Sequence, residues 1–217
     1  MGSKERKERE RSDVRAMIMS AARDLFASEG VDAVSMRKIA DAVEYSPTII
    51  YQHFTDKDAL LRKICQEDFA SLAGTLIEIA RIEDPIERIK RIGVAYCQFG
   101  VAYPNHYRLM FMTPYSGARL DESELCEKGK GNPEEDAYAF LRQAVLEAIE
   151  AKRFRKDLSD PELISQILWA GVHGVVALQI TKQSDPWIEW FPFDRRVEEM
   201  IDVMITGLTH EKTEGAR

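Results

Sequence analysis

The sequence predicts an all-α fold with about nine helices. Apolar residues recur at helical spacing, as at positions 14, 17, 18, 21, 22, 25 and 26, and no segment alternates apolar and polar residues as a half-buried strand would. The pairs Ser46-Pro47, Asp84-Pro85 and Asp160-Pro161 mark helix starts, because Ser and Asp cap helices and proline is favoured at the first helical position. We therefore expect an N-terminal three-helix domain with a helix-turn-helix, followed by a larger helical domain.

Charge and cysteine content limit the partners and the sites that we expect for this chain. The 217 residues carry a net charge of −7. Up to Arg62, 11 basic residues balance 11 acidic ones, so the acidic excess lies in the rest of the chain. A polyanionic partner would therefore meet the N-terminal part. The three cysteines, Cys65, Cys97 and Cys126, belong to no Cys/His cluster, so we expect no zinc site. We also expect no other metal site and no cofactor.

Two stretches bear on localisation. Residues 4–15 are too dense in charge for a signal peptide. The most apolar run, residues 163–180, includes Ser165, Gln166 and His173 and is too polar to prefer lipid. We expect a cytoplasmic protein with no membrane partner.

The first 60 residues are predicted to form an arm and three helices. Residues 1–12 have no apolar periodicity and are expected to be a charged flexible arm, which is either a solvated tail or a contact for nucleic-acid phosphates. Three helices are then expected in a domain over residues 13–60. The first ends at Gly30, Ser35 caps the second, and Ser46 caps the third.

Residues 61–217 are expected to form the second domain. Predicted helices cover residues 56–79, 85–102, 105–112, 133–151, 161–181 and 195–208, with a long loop over 114–132. Thr55 to Asp58 resembles a capping box that opens the first of these helices. That helix is long enough to begin in the first domain and end in the second.

Residues 35–54 meet the physical requirements of a helix-turn-helix. One helix braces the motif, a tight turn follows, and a short second helix presents Thr48 and Gln52 on its outer face while Ile49 or Ile50 faces the core. Tyr51 and His53 lie just beyond and suit phosphate contacts. An ordinary helical bundle is the alternative interpretation of this stretch.

The stretch FASEGVDAVSMRKIADAVEYSPTIIYQHFTDKDALL resembles the DNA-binding head of the TetR family of bacterial regulators. It has a first helix ending in Phe-x-x-x-Gly, a Ser-capped second helix with Ile-Ala, and the patterns Ser-Pro-x-x-Ile-Tyr-x-x-Phe and x-Lys-x-x-Leu. The resemblance implies a dimeric repressor of a near-palindromic operator, with Ser35 and Tyr51 on phosphates. The implied DNA contacts are Ser35, Arg37, Lys38, Pro47, Thr48, Ile49, Tyr51, Gln52, His53 and Lys57.

The turn of the motif departs from the family pattern. Glu44 stands where the family usually has glycine, and Tyr45 replaces a small aliphatic residue. A tight turn favours glycine because it often needs a positive φ, so we expect strain or a shifted turn at Glu44. The side chain also brings a negative charge near DNA.

The second domain resembles a TetR subtype that carries a Trp-x-x-x-His-Gly signature, through YPNHYRLMF and WAGVHG. The resemblance implies a ligand-binding and dimerisation domain whose last two helices form the dimer interface. The implied interface residues are Gly171, Gly174, Leu178, Val197, Met200, Ile201 and Met204. A second set of residues either lines a cavity for a small hydrophobic effector or forms packing core: Tyr96, Phe99, Tyr103, Met110, Phe111, Phe140, Trp169 and His173.

Three hypotheses about function follow. The first is a transcriptional regulator that binds operator DNA as a homodimer and is released by a small hydrophobic effector. The second is an enzyme. The sequence argues against it, because it contains no HExxH motif, nucleophile elbow or phosphate loop. The third is an interaction protein that kept this fold without the DNA site, supported by Glu44 and the uncharged head.

Overall fold

The computed structural model describes residues 3–113, 131–133 and 136–209, and these ranges contain nine α-helices. In order they are α1 Ser3–Glu29, α2 Met36–Ala42, α3 Pro47–His53, α4 Lys57–Gly74, α5 Pro85–Ala102, α6 Pro104–Tyr107, α7 Ala137–Glu150, α8 Pro161–Lys182 and α9 Phe193–Thr209. A 3₁₀ turn covers Ile79–Arg81 and a π-helical turn covers Arg108–Met112. No β-strand occurs in the described ranges. The predicted all-α fold is confirmed.

The described residues form two compact units. The first unit comprises residues 3–69 and 105–113, and the second comprises residues 70–104, 131–133 and 136–209. The sequence prediction placed 105–113 in the second domain. This segment joins the first unit because Leu109 is buried in its hydrophobic core. Most of the predicted loop over 114–132 lies outside the described residues.

The core of the first unit supports the helix-turn-helix. Ile18, Ala22 and Phe26 of α1 are fully or almost fully buried, and they belong to the same apolar cluster as Ile39 of α2 and Ile50 of α3. The i, i+4 spacing of the three α1 residues places them on one face of the helix. The two short helices α2 and α3 therefore lie on a packed base.

Helix α1 begins at Ser3, not near Val14, so residues 3–12 are helical rather than a flexible arm. The arm consists almost entirely of Lys, Arg and Glu, which are good helix formers even without an apolar stripe. Arg6 and Glu10 form an i, i+4 ion pair of 3.6 Å that adds a little support. Apolar periodicity alone could not detect this extension.

Helix α4 ends at Gly74, about one turn before the predicted end near Ile79. Glycine is a poor helix former, and the hydroxyl of Thr75 donates to the carbonyl of Leu72 at 2.6 Å. The chain then forms the 3₁₀ turn at Ile79–Arg81. The boundary between the two units falls within α4, after Phe69.

The second unit packs α5, α7, α8 and α9 together. Asp84 and Asp160 cap α5 and α8 through their side chains, as their Asp-Pro pairs predict. Helix α7 starts at Ala137 rather than Pro133, because the Asp136 carboxylate accepts hydrogen bonds from the amides of Tyr138 and Ala139 at 2.9 and 3.1 Å. The predicted helix is therefore present but shorter.

Helix α8 is long and apolar enough to cross a membrane by length and composition alone, and it is the one such helix in the described ranges. A third of its most apolar window is buried. Because it packs against α5, α7 and α9, the helix serves as the core helix of this unit.

Candidate nucleic-acid interface

Helix α2 has the cap and the outer face expected of a supporting helix. The Ser35 hydroxyl accepts a hydrogen bond from the Lys38 amide at 3.2 Å and so satisfies one free donor of the first turn. Met36 and Ile39 face the core, while Arg37 and Lys38 are exposed. The Lys38 ammonium forms an ion pair with the Glu29 carboxylate. Arg37 is thus presented to solvent at the start of the motif.

The turn between α2 and α3 carries the strain that the sequence predicts at Glu44. This residue has φ of 59°, in the left-handed region that disfavours side chains with a Cβ. Two backbone hydrogen bonds hold it there. The Glu44 amide donates to the Asp41 carbonyl at 3.3 Å, and the Tyr45 amide donates to the Ala40 carbonyl at 3.0 Å. The turn keeps the geometry that glycine would favour although the residue is glutamate.

Helix α3 presents a short polar surface. Ile50 is fully buried and anchors the helix, which resolves the choice between Ile49 and Ile50. Pro47 occupies the first turn, and Ser46 has extended backbone but makes no side-chain cap, so it caps by backbone position alone. Ile49 and His53 are half-buried. The exposed residues are Pro47, Thr48, Tyr51 and Gln52.

Lys57 at the start of α4 is tied into the first unit. Its ammonium donates to the carbonyls of Val31 and Val34 at 2.8 and 2.9 Å. These bonds fix the connection between α1 and α2 against α4. An ammonium has three N–H donors, so a contact with a DNA phosphate would use the donor not pointed at these carbonyls.

The cap of α4 is Asp56, one residue later than the predicted capping box. The Asp56 carboxylate accepts a hydrogen bond from the Ala59 amide at 2.7 Å. Thr55 donates to Asp56 rather than capping the helix itself. The carboxylate is favourable here because it meets the free amides and the positive end of the helix dipole.

A cationic groove lies at the C-terminal end of α3. The Arg15 guanidinium stacks 4.5 Å from the centre of the Phe54 ring and donates to the His53 carbonyl at 3.4 Å. Burial lowers the pKa of the His53 imidazole, and the charges of Arg11 and Arg15 lower it further. The groove is lined by Arg15, His53, Phe54, Thr55, Ala59, Arg62, Lys63 and Gln66.

This groove includes basic residues that the sequence analysis did not assign to DNA binding. Arg15, Arg62 and Lys63 lie on two different helices, so no local motif joins them. The available signal was the i, i+4 spacing of Arg11 and Arg15 on α1.

In the second unit, three predicted pocket residues form one hydrogen-bonded cluster. The Trp169 indole donates to the Tyr96 hydroxyl at 3.0 Å, and that hydroxyl lies 3.2 Å from Nδ1 of His173. Burial lowers the pKa of His173, which favours the neutral imidazole. The arrangement links α5 to two successive turns of α8.

The other predicted pocket residues are divided between the two units. Phe140 and Phe99 are buried in the second unit, where the ring of Phe99 lies 5.3 Å from that of the exposed Tyr103. Met110 and Phe111 belong to the first unit, and Phe111 packs edge-on against Phe69. Their closeness to α5 in sequence had suggested the second domain for both.

Tyr138 borders the cluster and was missed by the sequence analysis. Its ring lies 5.9 Å from that of Trp169, and its hydroxyl donates to Glu162 at 2.5 Å. Burial and the Glu162 carboxylate raise the pKa of Tyr138 to about 12. The Tyr138 hydroxyl therefore remains protonated at neutral pH.

Several residues expected at a dimer interface pack within the protomer. Val197 and Ile201 of α9 are buried in the second unit, and the Ile201 side chain lies against Gly93 of α5. A Cβ on Gly171 would lie 2.2 Å from the Met204 sulfur, so this glycine admits Met204 of the same chain. These residues bring α8 and α9 together inside one protomer.

A different face of α8 is exposed and apolar. Leu163, Ile167 and Leu178 are 49, 42 and 46% exposed, and they lie on one side of the helix with Ala170 and Gly174. Val203 of α9 is exposed as well. The spacing of 4, 3, 4 and 4 residues from Leu163 to Leu178 was visible in the sequence.

Within the described ranges no group of three or more His, Cys, Asp or Glu side chains is arranged to hold a metal ion. Burial raises the pKa of Cys65 and of Cys97 to about 12, so both thiols stay protonated.

Comparison with known families gives two matches along the chain. A model described as "Bacterial regulatory proteins, tetR family" matches residues 18–64, and one described as "Tetracyclin repressor-like, C-terminal domain" matches residues 89–204, more than half of the chain. The regulator UidR of Escherichia coli K12 is 27% identical over 146 residues, 67% of each chain. The repressor AcnR of Corynebacterium efficiens is 35% identical over 78 residues, 33% of this chain and 42% of AcnR.

Solved structures share the fold. The fatty acid degradation regulator FadR from Bacillus halodurans superposes with a TM-score of 0.71 at 20% identity, over 91% of this chain and 97% of FadR. The ketosteroid transcriptional regulator KstR2 of Mycobacterium tuberculosis gives a TM-score of 0.69 at 17% identity, over 91 and 95%. At these identities the likeness concerns the fold.

Proposed function

Because the chain belongs to the TetR family of bacterial transcriptional regulators, we propose that it is a cytoplasmic homodimeric repressor that a small hydrophobic molecule releases from a near-palindromic operator. The protein is a DNA-binding regulator and not an enzyme. The observation that carries the proposal is the short, exposed polar face of α3 on a fully buried base.

The exposed side chains of this face suit DNA. Thr48 and Gln52 are a turn apart on α3 and are of the size and polarity that read base edges in a major groove. The Tyr51 hydroxyl and the Arg37 guanidinium are exposed donors for phosphates. We assign base contacts to Thr48 and Gln52, and backbone contacts to Ser35, Arg37 and Tyr51.

For the dimer we assign the exposed stripe of α8 with the neighbouring face of α9. Leu163, Ile167 and Leu178 are large apolar side chains that stay partly in water in a monomer, and Gly174 between them permits close approach of a second helix. A two-fold interface on this stripe is self-complementary because each residue faces the same helix of the partner. Val203 of α9 is a further exposed apolar side chain in this unit, and we include it in the proposed interface.

For the effector we assign the region around Tyr96, Trp169 and His173. The three polar groups hydrogen-bond to one another across α5 and α8, and the Tyr138 ring supplies apolar surface beside Trp169. A ligand with one acceptor or donor could replace a partner in this cluster and bury its remainder against the rings. The grouping of Trp169, His173 and Gly174 also supports placement in the Trp-x-x-x-His-Gly subtype.

The experiment is selection of tight binders from a random duplex DNA pool by the full-length protein. We expect a near-palindromic site with half-sites about one helical turn apart, because two recognition helices must reach successive major grooves. Arg37→Ala and Tyr51→Phe should weaken binding to that site. Arg81→Ala is the control, because Arg81 is an exposed arginine of the second unit that pairs with Glu78. Enrichment of no sequence would instead support an interaction protein without a DNA site.

A further inference from the structure

The N-terminal three turns of α1 carry a basic stripe, which we define as Lys4, Lys7, Arg11 and Arg15. These residues follow i, i+3, i+7 and i+11 spacing, so they lie on one face of the helix. Glu8 lies on the same face, four residues after Lys4 and three before Arg11, and is the one acidic residue there. The opposite side carries Arg6 and Arg9 among Glu5, Glu10 and Asp13, and Arg6 is paired with Glu10.

Two contacts of Arg15 fix the direction of this stripe. Arg15 stacks on Phe54 and donates to the His53 carbonyl, at the point where α3 ends. Arg11, one turn earlier, is close enough to His53 to lower its pKa together with Arg15. The stripe therefore runs from the C-terminal end of α3, the proposed recognition helix, outward along α1. It is continuous with the groove that contains Arg62 and Lys63.

We propose that the basic stripe of α1 binds the DNA phosphate backbone beside the operator half-site, as a second contact surface outside the helix-turn-helix. The proposal rests on the proposed DNA-binding function. A helix rises 1.5 Å per residue, so the stripe extends about 12 to 17 Å beyond His53, the span of several phosphates along one strand. This surface gathers positive charge on one side of a domain whose basic and acidic residues balance when the stripe is included.

The chemistry of the stripe suits phosphate rather than bases. Lys and Arg on an exposed helix face act as point charges or forked donors for phosphate oxygens, and they gain from the release of condensed counterions. A contact of this kind adds affinity and salt dependence but no base discrimination. Removing it should leave sequence preference unchanged.

The test compares two charge-matched double variants, Lys7→Gln/Arg11→Gln on the stripe and Arg6→Gln/Arg9→Gln on the opposite face. Both remove two positive charges from the same exposed helix, and Gln has a helix propensity close to that of Lys and Arg. The probe is the duplex enriched from the random pool, made both at minimal length and with flanking base pairs on each side. Affinity is measured against salt concentration, with far-ultraviolet circular dichroism as the check on helix content.

We expect the slope of log K against log salt for Lys7→Gln/Arg11→Gln to fall by about 0.9 for each phosphate that the variant no longer binds, and the slope for Arg6→Gln/Arg9→Gln to change much less. The flanks should strengthen binding by the parent and by Arg6→Gln/Arg9→Gln but not by the stripe variant. Equal behaviour of the two variants, with a parent that binds the duplex, overturns this inference alone. A parent that binds no duplex overturns the proposed function and this inference with it.

Discussion

The Arg23 guanidinium of α1 donates two hydrogen bonds, of 3.0 and 2.7 Å, to the buried Asp68 carboxylate of α4. Asp68 is 1% exposed, and Nδ1 of His106 lies 3.0 Å from the same carboxylate. The pair joins the first and fourth helices of the first unit and holds the segment after α5 beside them. A carboxylate this buried is stable only with such partners.

This pair gives the first prediction. Asp68→Leu should lower the free energy of unfolding by about 3–5 kcal/mol, because it leaves the Arg23 charge buried without its partner. The double variant Arg23→Met/Asp68→Leu should recover most of that loss, since both charges are then removed together. Urea unfolding at a fixed protein concentration measures both. A double variant no more stable than Asp68→Leu would contradict this account of the pair.

Glu44 gives the second prediction. Glu44→Gly should raise the free energy of unfolding by up to about 1.6 kcal/mol, since relief of about 1–2 kcal/mol of left-handed strain is offset by about 0.4–1 kcal/mol of backbone entropy. Lys152→Gly should do the same, because Lys152 has φ of 56° at an exposed site in the second unit. Thermal unfolding of the parent and both variants measures these changes in stability and so tests whether the two left-handed residues are strained.

The same residue separates strain from charge at the DNA. Glu44→Gln removes the negative charge but keeps the strained backbone, so it should strengthen DNA binding without raising stability. Lys152→Gly should raise stability without strengthening DNA binding. If Glu44→Gln binds the selected duplex no more tightly than the parent, the Glu44 carboxylate does not oppose DNA.

The third prediction concerns pH. Burial lowers the pKa of His173 below its usual 6.5, so the unfolded chain binds a proton more readily than the folded one. The free energy of unfolding should therefore be highest above pH 6.5 and fall as the pH is lowered below that value. His173→Phe should flatten this fall relative to the parent, whereas Tyr96→Phe should keep it. Chemical unfolding between about pH 7.5 and 5 decides, and a steeper fall in His173→Phe would reverse the sign of the argument.

The fourth prediction concerns the dimer. Ile167→Glu should raise the dissociation constant of the dimer more than about tenfold, because a carboxylate buried without a partner in an interface costs about 2–5 kcal/mol. Ile77→Glu is the matched control, since Ile77 is 61% exposed in the second unit but lies off the α8 stripe. Sedimentation velocity across protein concentrations gives both constants. Equal constants for the two variants would remove the stripe from the interface.

The sequence predicted the features that depend on neighbouring residues. The cap at Ser35, the starts at Pro47, Pro85 and Pro161, and the positive φ of Glu44 follow from local backbone chemistry and appear where expected. The helix-turn-helix was accessible for the same reason, because its spacing lies within about twenty residues.

The sequence could not predict the features that depend on contacts between residues far apart in the chain. The bonds from Lys57 to Val31 and Val34 join residues that are 26 and 23 positions apart. The resemblance implied a dimer role for Gly171, and nothing local shows that Met204 of the same chain lies beside this glycine. The helical start of α1 was missed because charged residues carry no apolar period.

The most direct test of the regulator is discrimination between two duplexes, one carrying the selected site and one with the same base composition in permuted order. Affinities for both are measured for the parent and for Thr48→Ala/Gln52→Ala at the same salt concentration. The account predicts that the parent binds the selected duplex at least about a thousandfold more tightly, and that the variant loses most of this ratio while its affinity for the permuted duplex is unchanged. A parent that binds both duplexes equally would contradict it.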